Sequence, residues 1–225
     1  MEKRGLSQEG LKVIACVTML IDHVGAVLMP WSVVLRMIGR IAFPIYCFLL
    51  AEGAHYTRNP RNYVLRLGIG VLLSELPFDL ALSGRMDWTY QSVMVTLLLG
   101  VLALLCMEKT ENMVLRVLIV IPFAAAAELL LTDYGAAGVL LVAVFGLTRG
   151  RPWWQRLLGV LVVLYITPSA AIYPWGIRLP MELLGALALI PIACYSGRKL
   201  THSKAVQWAF YLFYPVHLTI LYLLK

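Results

Sequence analysis

The stretch Leu11–Pro30, LKVIACVTMLIDHVGAVLMP, decides the fold. It is long and apolar enough to cross a hydrocarbon layer, since about 18 or more apolar residues in succession read as a transmembrane helix. Yet Asp22 and His23 sit inside it. An ionisable side chain at mid-bilayer costs about 2.5–3.5 kcal/mol on insertion scales, and such groups face a bundle interior or a wet cavity. The pair therefore points to an interior site as well as to a membrane. Lys3 and Arg4 precede the run as they would in a signal peptide, but the ionisable pair interrupts its apolar core and no small-x-small cleavage site follows. The run is read as a retained first helix.

The rest of the chain agrees. Of its 225 residues, 61% are hydrophobic and 14% charged, with a mean hydropathy of +0.82; soluble domains carry about 25% charged residues. Turn signals such as Arg58-Asn59-Pro60, Ser83-Gly84, Asp133-Tyr134-Gly135, Gly150-Arg151-Pro152 and Pro174-Trp175-Gly176 divide it into about nine apolar spans. These cover residues 11–29, 34–55, 62–82, 90–108, 112–131, 135–149, 153–172, 180–196 and 205–224. The expectation is an all-α polytopic membrane protein, one transmembrane helical-bundle domain over residues 1–225. The cysteines Cys16, Cys47, Cys106 and Cys194 lie singly in apolar segments without metal spacing, as core residues do.

Alternate loops hold 14 of the 19 lysines and arginines. By the positive-inside bias this places the N-terminus in the cytoplasm and, after nine spans, the C-terminus outside, in a bacterial inner membrane. The net charge of +7 is then topology and contact with anionic lipid, and does not point to nucleic acid.

At 1.5 Å per helical residue the embedded polar groups converge on the outer third of the bilayer. His23 lies ~9 Å below the outer end of the first span. Arg40 is at similar depth in the second, with Arg36 one turn away on the same face. Glu75 and Asp79 share a face of the third span, and Gln91, Glu128, Asp133, Glu182 and His217 fall in outer parts of others. The arginines can be neutralised by Glu75 and Asp79. Asp22 and His23 point ~100° apart, so a carboxylate orienting His23 has to come from another helix, with Glu75 or Glu182 in reach. Lys12 and His23 share a stripe three turns long, ~16 Å, from the cytoplasmic surface to the outer polar belt.

The blocks LKVIACVTMLIDHVGAVLMP, RMIGRIAFPIYCFLLAEGAHYTRNPRNYVLRL, SELPFDLA and QWAFYLFYPVHLTILYL resemble, in this order, the TraX family of bacterial membrane proteins. The resemblance implies acetylation of a pilin N-terminus with acetyl-CoA. More distantly, the Lys12 to His23 spacing is similar to the Arg-x10-His element of the acyltransferase-3 membrane acyltransferases, in which the histidine is the catalytic candidate; here Lys12 stands in place of the arginine.

Acyl transfer from a thioester needs a base for the acceptor and a group that stabilises the oxyanion. His23 suits the base, its ordinary pKa of ~6.5 lying near operating pH. Arg40, with Arg36 behind it, is expected to polarise the thioester carbonyl or to hold an anionic acceptor, with Glu75 or Asp22 orienting His23. Lys12, Arg58, Arg61 and Arg66 are the expected contacts of acetyl-CoA at the cytoplasmic end. Arg36, Asp79, Gln91 and His217 are the candidates for holding the acceptor, an amine or hydroxyl on a peptide such as a pilin subunit or on a small molecule. Two other classes compete. Asp22, His23, Glu75, Glu128 and His217 could form the relay of a proton-coupled transporter, although no inverted repeat accompanies them. A bundle that binds a small membrane protein without catalysis is the other.

Overall fold

The computed structural model describes residues 5–174, 177–201 and 203–225. Lys3, Arg4, the Trp175-Gly176 part of one expected turn, and His202 lie outside the described residues. The chain is a helical bundle with one two-stranded hairpin. Its elements are α1 (Gln8–Val27), α2 (Val33–Gly39), α3 (Ala42–Tyr56), α4 (Pro60–Ser83), α5 (Val93–Met107), α6 (Met113–Leu129), α7 (Gly135–Leu147) and α8 (Trp153–Ile166). The hairpin β1 (Ala171–Ile172) and β2 (Leu179–Pro180) follows, then a 3-10 helix (Met181–Ala188), α9 (Leu189–Ala193) and α10 (Lys204–Leu224).

Local chemistry sets the boundaries. Ser7 caps α1 by accepting from the Gly10 amide at 3.0 Å. Asn59 caps α4 by accepting from the Asn62 amide, Pro60 occupies its first turn, and Gly84, at φ 70°, ends it. Asn112 accepts from the Val114 and Leu115 amides to start α6.

The expected single span over 34–55 is two helices, α2 and α3, with a turn at Arg40 and Ile41. Pro44, which has no amide hydrogen to give the Arg40 carbonyl, explains the break, because its ring also crowds that carbonyl. The Arg40 and Ile41 amides fall back on i−3 carbonyls, those of Met37 and Ile38, at 3.3 Å each. The expected span over 180–196 is likewise replaced by a 3-10 helix running into the short α9.

Long apolar helices mark a membrane protein. Among the described residues three are long and apolar enough to cross a bilayer: Gln8–Val27, Val33–Tyr56 counted through its break, and Lys204–Leu224. α4 has 24 residues, but carries Arg61, Arg66, Glu75 and Asp79. α5, with 15 residues, and α7, with 13, reach only ~20 Å, against a hydrocarbon core of about 30 Å. Large apolar side chains face outward, among them Leu72 on α4 and Leu129 on α6, at 79% and 84% exposed. Inside, close packing replaces the hydrophobic drive that lipid cannot supply. Gly100, Gly138 and Gly146 let α5 and α7 approach so closely that a Cβ at each would meet a side chain of the other helix.

Helix ends gather in two sets. At one end Leu6 bonds the backbone at Cys194 and Ser196, and Arg149 pairs with Glu52 at 3.0 Å. At the other, Gln91 bonds the backbone of the α6–α7 turn, and Lys225 Nζ donates to the Ala81 carbonyl at 3.2 Å.

Gly39 permits the approach of α2 to α1: a Cβ there would occupy the space of the Asp22 side chain. Gly39→Ala is expected to destabilise the fold by about 1–3 kcal/mol or more, as overpacking does. Gly68→Ala, where a Cβ meets nothing within 4 Å, is expected to gain about 0.5–1 kcal/mol from helix propensity. Unfolding of both variants in detergent measures the contrast.

Candidate functional site

Asp22 and His23 serve two different clusters. Asp22, only 8% exposed, divides its carboxylate between two arginines of the α2–α3 segment. One oxygen accepts from Arg36, and the other accepts from Arg40 Nη2 at 2.5 Å. Arg40 also donates to Glu182 at 2.5 Å and to the Tyr134 hydroxyl at 3.3 Å through Nη1, and to the Arg36 carbonyl through Nε. Two carboxylates and two guanidiniums thus form a neutral quartet that ties α1 to α2 and the 3-10 helix. Each carboxylate would be costly to bury alone; together with the arginines the charges compensate.

This corrects four expected assignments. Arg36 and Arg40 are neutralised by Asp22 and Glu182, not by Glu75 and Asp79. Arg40 spends four of the five N–H groups a guanidinium has, which leaves little to offer a thioester carbonyl. Asp22 is committed to the arginines and does not orient His23. Glu75 does not either: its carboxylate accepts from the Ser92 hydroxyl at 2.7 Å and from the Ser92 amide, capping α5.

His23 instead meets His217 of α10. His23 Nδ1 lies 2.8 Å from His217 Nε2, and His217 Nδ1 lies 2.7 Å from the Phe213 carbonyl one turn back. A carbonyl only accepts, so His217 carries its proton on Nδ1 and, when neutral, presents the Nε2 lone pair. His23 Nδ1–H then donates to that lone pair, and neutral His23 is left with an unprotonated Nε2. The role expected of a carboxylate is filled by a backbone carbonyl acting through His217, which is 5% exposed. Tyr214 completes the group, its ring edge-on to His23 at 5.8 Å and to His217 at 5.7 Å between centroids.

A cavity of about 670 Å³ runs past both clusters. Asp22, His23, Arg36, Arg40, Tyr90, Asp133, Tyr134 and Tyr214 line it toward one end of the bundle, and Gln8, Lys12, Thr57, Arg66 and Lys199 toward the other. Of the expected donor contacts, Lys12 and Arg66 therefore reach it, whereas Arg58 and Arg61 are exposed and lie outside its lining. Lys199 joins the basic mouth and was not singled out in the sequence. Lys12 Nζ sits 5.0 Å over the Phe210 ring, a placement that holds the cation at the cavity wall.

A second cavity, of about 520 Å³, is lined by Glu128, Thr132, Thr167, Ser169 and Glu182, and it shares Arg36, Arg40, Tyr90, Asp133 and Tyr134 with the first. The quartet and the α6–α7 turn form the wall between them. That turn holds Tyr134 at φ 66°, a conformation non-glycine residues avoid. Tyr134 is held there by stacking on Phe43, 3.7 Å between centroids. In the same turn burial pushes the Asp133 carboxyl up, against the Tyr90 hydroxyl that donates to it at 3.0 Å. The sequence showed Asp133-Tyr134-Gly135 as a turn, with no sign that its tyrosine reaches Arg40.

Two expected acceptor contacts lie elsewhere. Asp79 accepts from the Asp87 amide at 2.9 Å and orders the α4–α5 loop. Gln91 donates to the Trp88 carbonyl at 2.9 Å, and neither residue lines either of these two cavities. Among the described residues no group of His, Cys, Asp and Glu could hold a metal ion.

The model of the TraX protein family matches residues 7–225. The chain belongs to the TraX family. A probable fimbrial assembly protein, FimC of serogroup H1, from Dichelobacter nodosus is 29% identical over 228 residues, covering 94% of this chain and 92% of its own. An uncharacterized protein of Rickettsia prowazekii (strain Madrid E) is 37% identical over 62 residues, which cover 28% of this chain and 24% of that relative. No solved structure matches. The TraX-like blocks GRIAFP and LIDH thus have a physical content in this chain: Gly39 makes room for Asp22, Arg40 pairs with it, and Pro44 breaks the helix between them.

The tautomer chain has a direct readout. In the ring-nitrogen 15N NMR spectrum of the native protein at neutral pH, His23 is expected as the Nδ1–H tautomer. In His217→Phe the population should move toward the Nε2–H form. A native His23 protonated on Nε2 would refute the assignment.

Proposed function

We propose that this TraX-family chain is a polytopic inner-membrane acetyltransferase. It takes the acetyl group of cytoplasmic acetyl-CoA and passes it to an amine near the outer side, with His23 as general base. The observation that carries the reading is one cavity joining a cluster of three cations, Lys12, Arg66 and Lys199, to His23. Phosphates suit the cationic mouth, and the thioester arm follows the stripe from Lys12 to His23, three helical turns or ~16 Å.

The reaction is balanced by one group. The amine attacks the thioester carbon and forms the C–N bond. His23 Nε2 takes a proton from the ammonium so formed, the C–S bond breaks, and the thiolate recovers that proton. A positioned base of this kind contributes about 10²–10⁴-fold. The Nδ1–H bond to His217 supports His23 in the required tautomer.

Nine crossings, with the N-terminus inside and the C-terminus outside, fit the two sets of helix ends and the positive-inside bias. In that frame the short helices and the 3-10 segment cross within the bundle, where neighbours satisfy irregular backbone. The second cavity then opens outward and gives the acceptor its approach. A pilin or fimbrial subunit is the acceptor favoured by the name of the Dichelobacter nodosus relative, a probable fimbrial assembly protein. The same name supports a second reading, a non-catalytic assembly factor. The proton-relay reading has less support, because Asp22 is held by arginines, Glu75 by Ser92 and Glu128 by the Ala136 amide.

Calorimetry of acetyl-CoA binding to the detergent-purified protein separates these readings. The native chain and His23→Ala are expected to bind alike, whereas replacing Lys12, Arg66 and Lys199 together by Ala should weaken binding at least tenfold. Changing Arg58 and Arg61 to Ala should matter little. Absence of binding by the folded native protein would leave the assembly factor as the better account.

A further inference from the structure

The transferase reading needs a donor for the oxyanion that forms on the thioester carbonyl, and Arg40 is already spent on Asp22, Glu182, Tyr134 and the Arg36 carbonyl. One polar atom, on a side chain whose ring packs against His23, has no such commitment. The hydroxyl of Tyr214 is buried without a hydrogen-bond partner, in a residue that is 4% exposed and lines the main cavity. Buried hydroxyls are nearly always paired, and one left unpaired costs stability. Its ring lies edge-on to both histidines, and Tyr214 and His23 line the same cavity.

We propose that Tyr214 is a catalytic residue that donates a hydrogen bond to the acyl carbonyl oxygen of a thioester substrate. The inference rests on the transferase reading and deepens it. When the amine attacks, the carbonyl π electrons move to oxygen, and the Tyr214 O–H holds that oxygen while keeping its own proton. When the C–S bond breaks, the electrons return and the carbonyl of the acetamide re-forms. A neutral phenol suits this role in a cavity whose charges are already balanced, since it adds no net charge. It also accounts for a tyrosine, where phenylalanine would pack equally well and leave nothing unpaired. The arrangement divides the labour: Lys12, Arg66 and Lys199 hold the phosphates, His23 moves the proton, and Tyr214 meets the developing charge.

The test compares native protein with Tyr214→Phe, using acetyl-CoA carrying 13C at the acetyl carbonyl and glycyl-leucine amide as the amine probe. Infrared difference spectra should show the bound thioester carbonyl band at lower frequency in the native protein than in Tyr214→Phe. Acetyl-CoA affinity should be unchanged, and kcat should fall about 10²–10³-fold, as when an oxyanion donor is removed. The Tm of Tyr214→Phe should be equal to or above native, because the change deletes an unpaired buried hydroxyl; a hydroxyl with a structural role would lower it. An identical carbonyl band in both proteins, an unchanged kcat, or a lowered Tm with weakened binding overturns the assignment of Tyr214 while leaving the transferase reading in place. Failure of the native protein to bind acetyl-CoA, or to acetylate the probe, overturns both.

Discussion

The structure depends on one carboxylate shared between two arginines. Asp22 holds Arg36 and Arg40, and Arg40 in turn holds Glu182 and Tyr134. Removing one partner from such a buried set costs about 3–5 kcal/mol, because it strands the others. The energetics alone do not explain why an ionic group is used, since an apolar replacement packs equally well or better. What the quartet does is geometric. It fixes the α2–α3 break beside α1, pins the strained α6–α7 turn, and closes the wall between two cavities. A set of charges summing to zero can stand in a low-dielectric interior without drawing in counterions.

His23 shows the other half of the design. Neighbouring in sequence, Asp22 and His23 diverge on the helix, and each finds a partner from a distant part of the chain. His217 is 194 residues away from His23, and α10 brings it back by packing against α4 and α1. A histidine oriented by a second histidine avoids placing another carboxylate beside the quartet, where like charge would oppose it. The tautomer is then set by a backbone carbonyl, which cannot titrate.

How much of this was legible in the sequence divides along physical lines. α1, α4 and α10 followed from long, mainly apolar runs bounded by turn signals such as Arg58-Asn59-Pro60 and Ser83-Gly84, because turn chemistry and hydropathy are local. The shared level of Arg40 and His23 in the bundle followed from helical rise, since Arg40 meets Asp22, the neighbour of His23. The break at Arg40 and Ile41 was hidden because the apolar pattern continues through it; Pro44, four residues after Arg40, was the available sign. Partner identities were not legible, since Asp22, Glu75, Asp79 and Glu182 look alike as carboxylates near one level, and only packing decides which one meets the arginines. Tyr214 and Tyr134 were hidden for a related reason. A tyrosine beside a turn, as Tyr134 is, reads as an interfacial belt residue, one in mid-helix, as Tyr214 is, reads as packing, and the role of either hydroxyl depends on groups supplied by other helices. The cavity separated Lys12 and Arg66 from Arg58 and Arg61, although all four belong to the same charge bias.

The central claim is that a donor on one side of the bilayer serves an acceptor on the other through the interior cavity. Sealed vesicles containing the oriented protein test it directly, with radiolabelled acetyl-CoA supplied only at the side of Lys12 and Lys199. The acceptor, a membrane-impermeant peptide with a free amino terminus, is confined to the opposite compartment. Label is expected on the peptide in native vesicles and not in His23→Ala vesicles. Label that appears only when donor and peptide share one compartment would contradict the account.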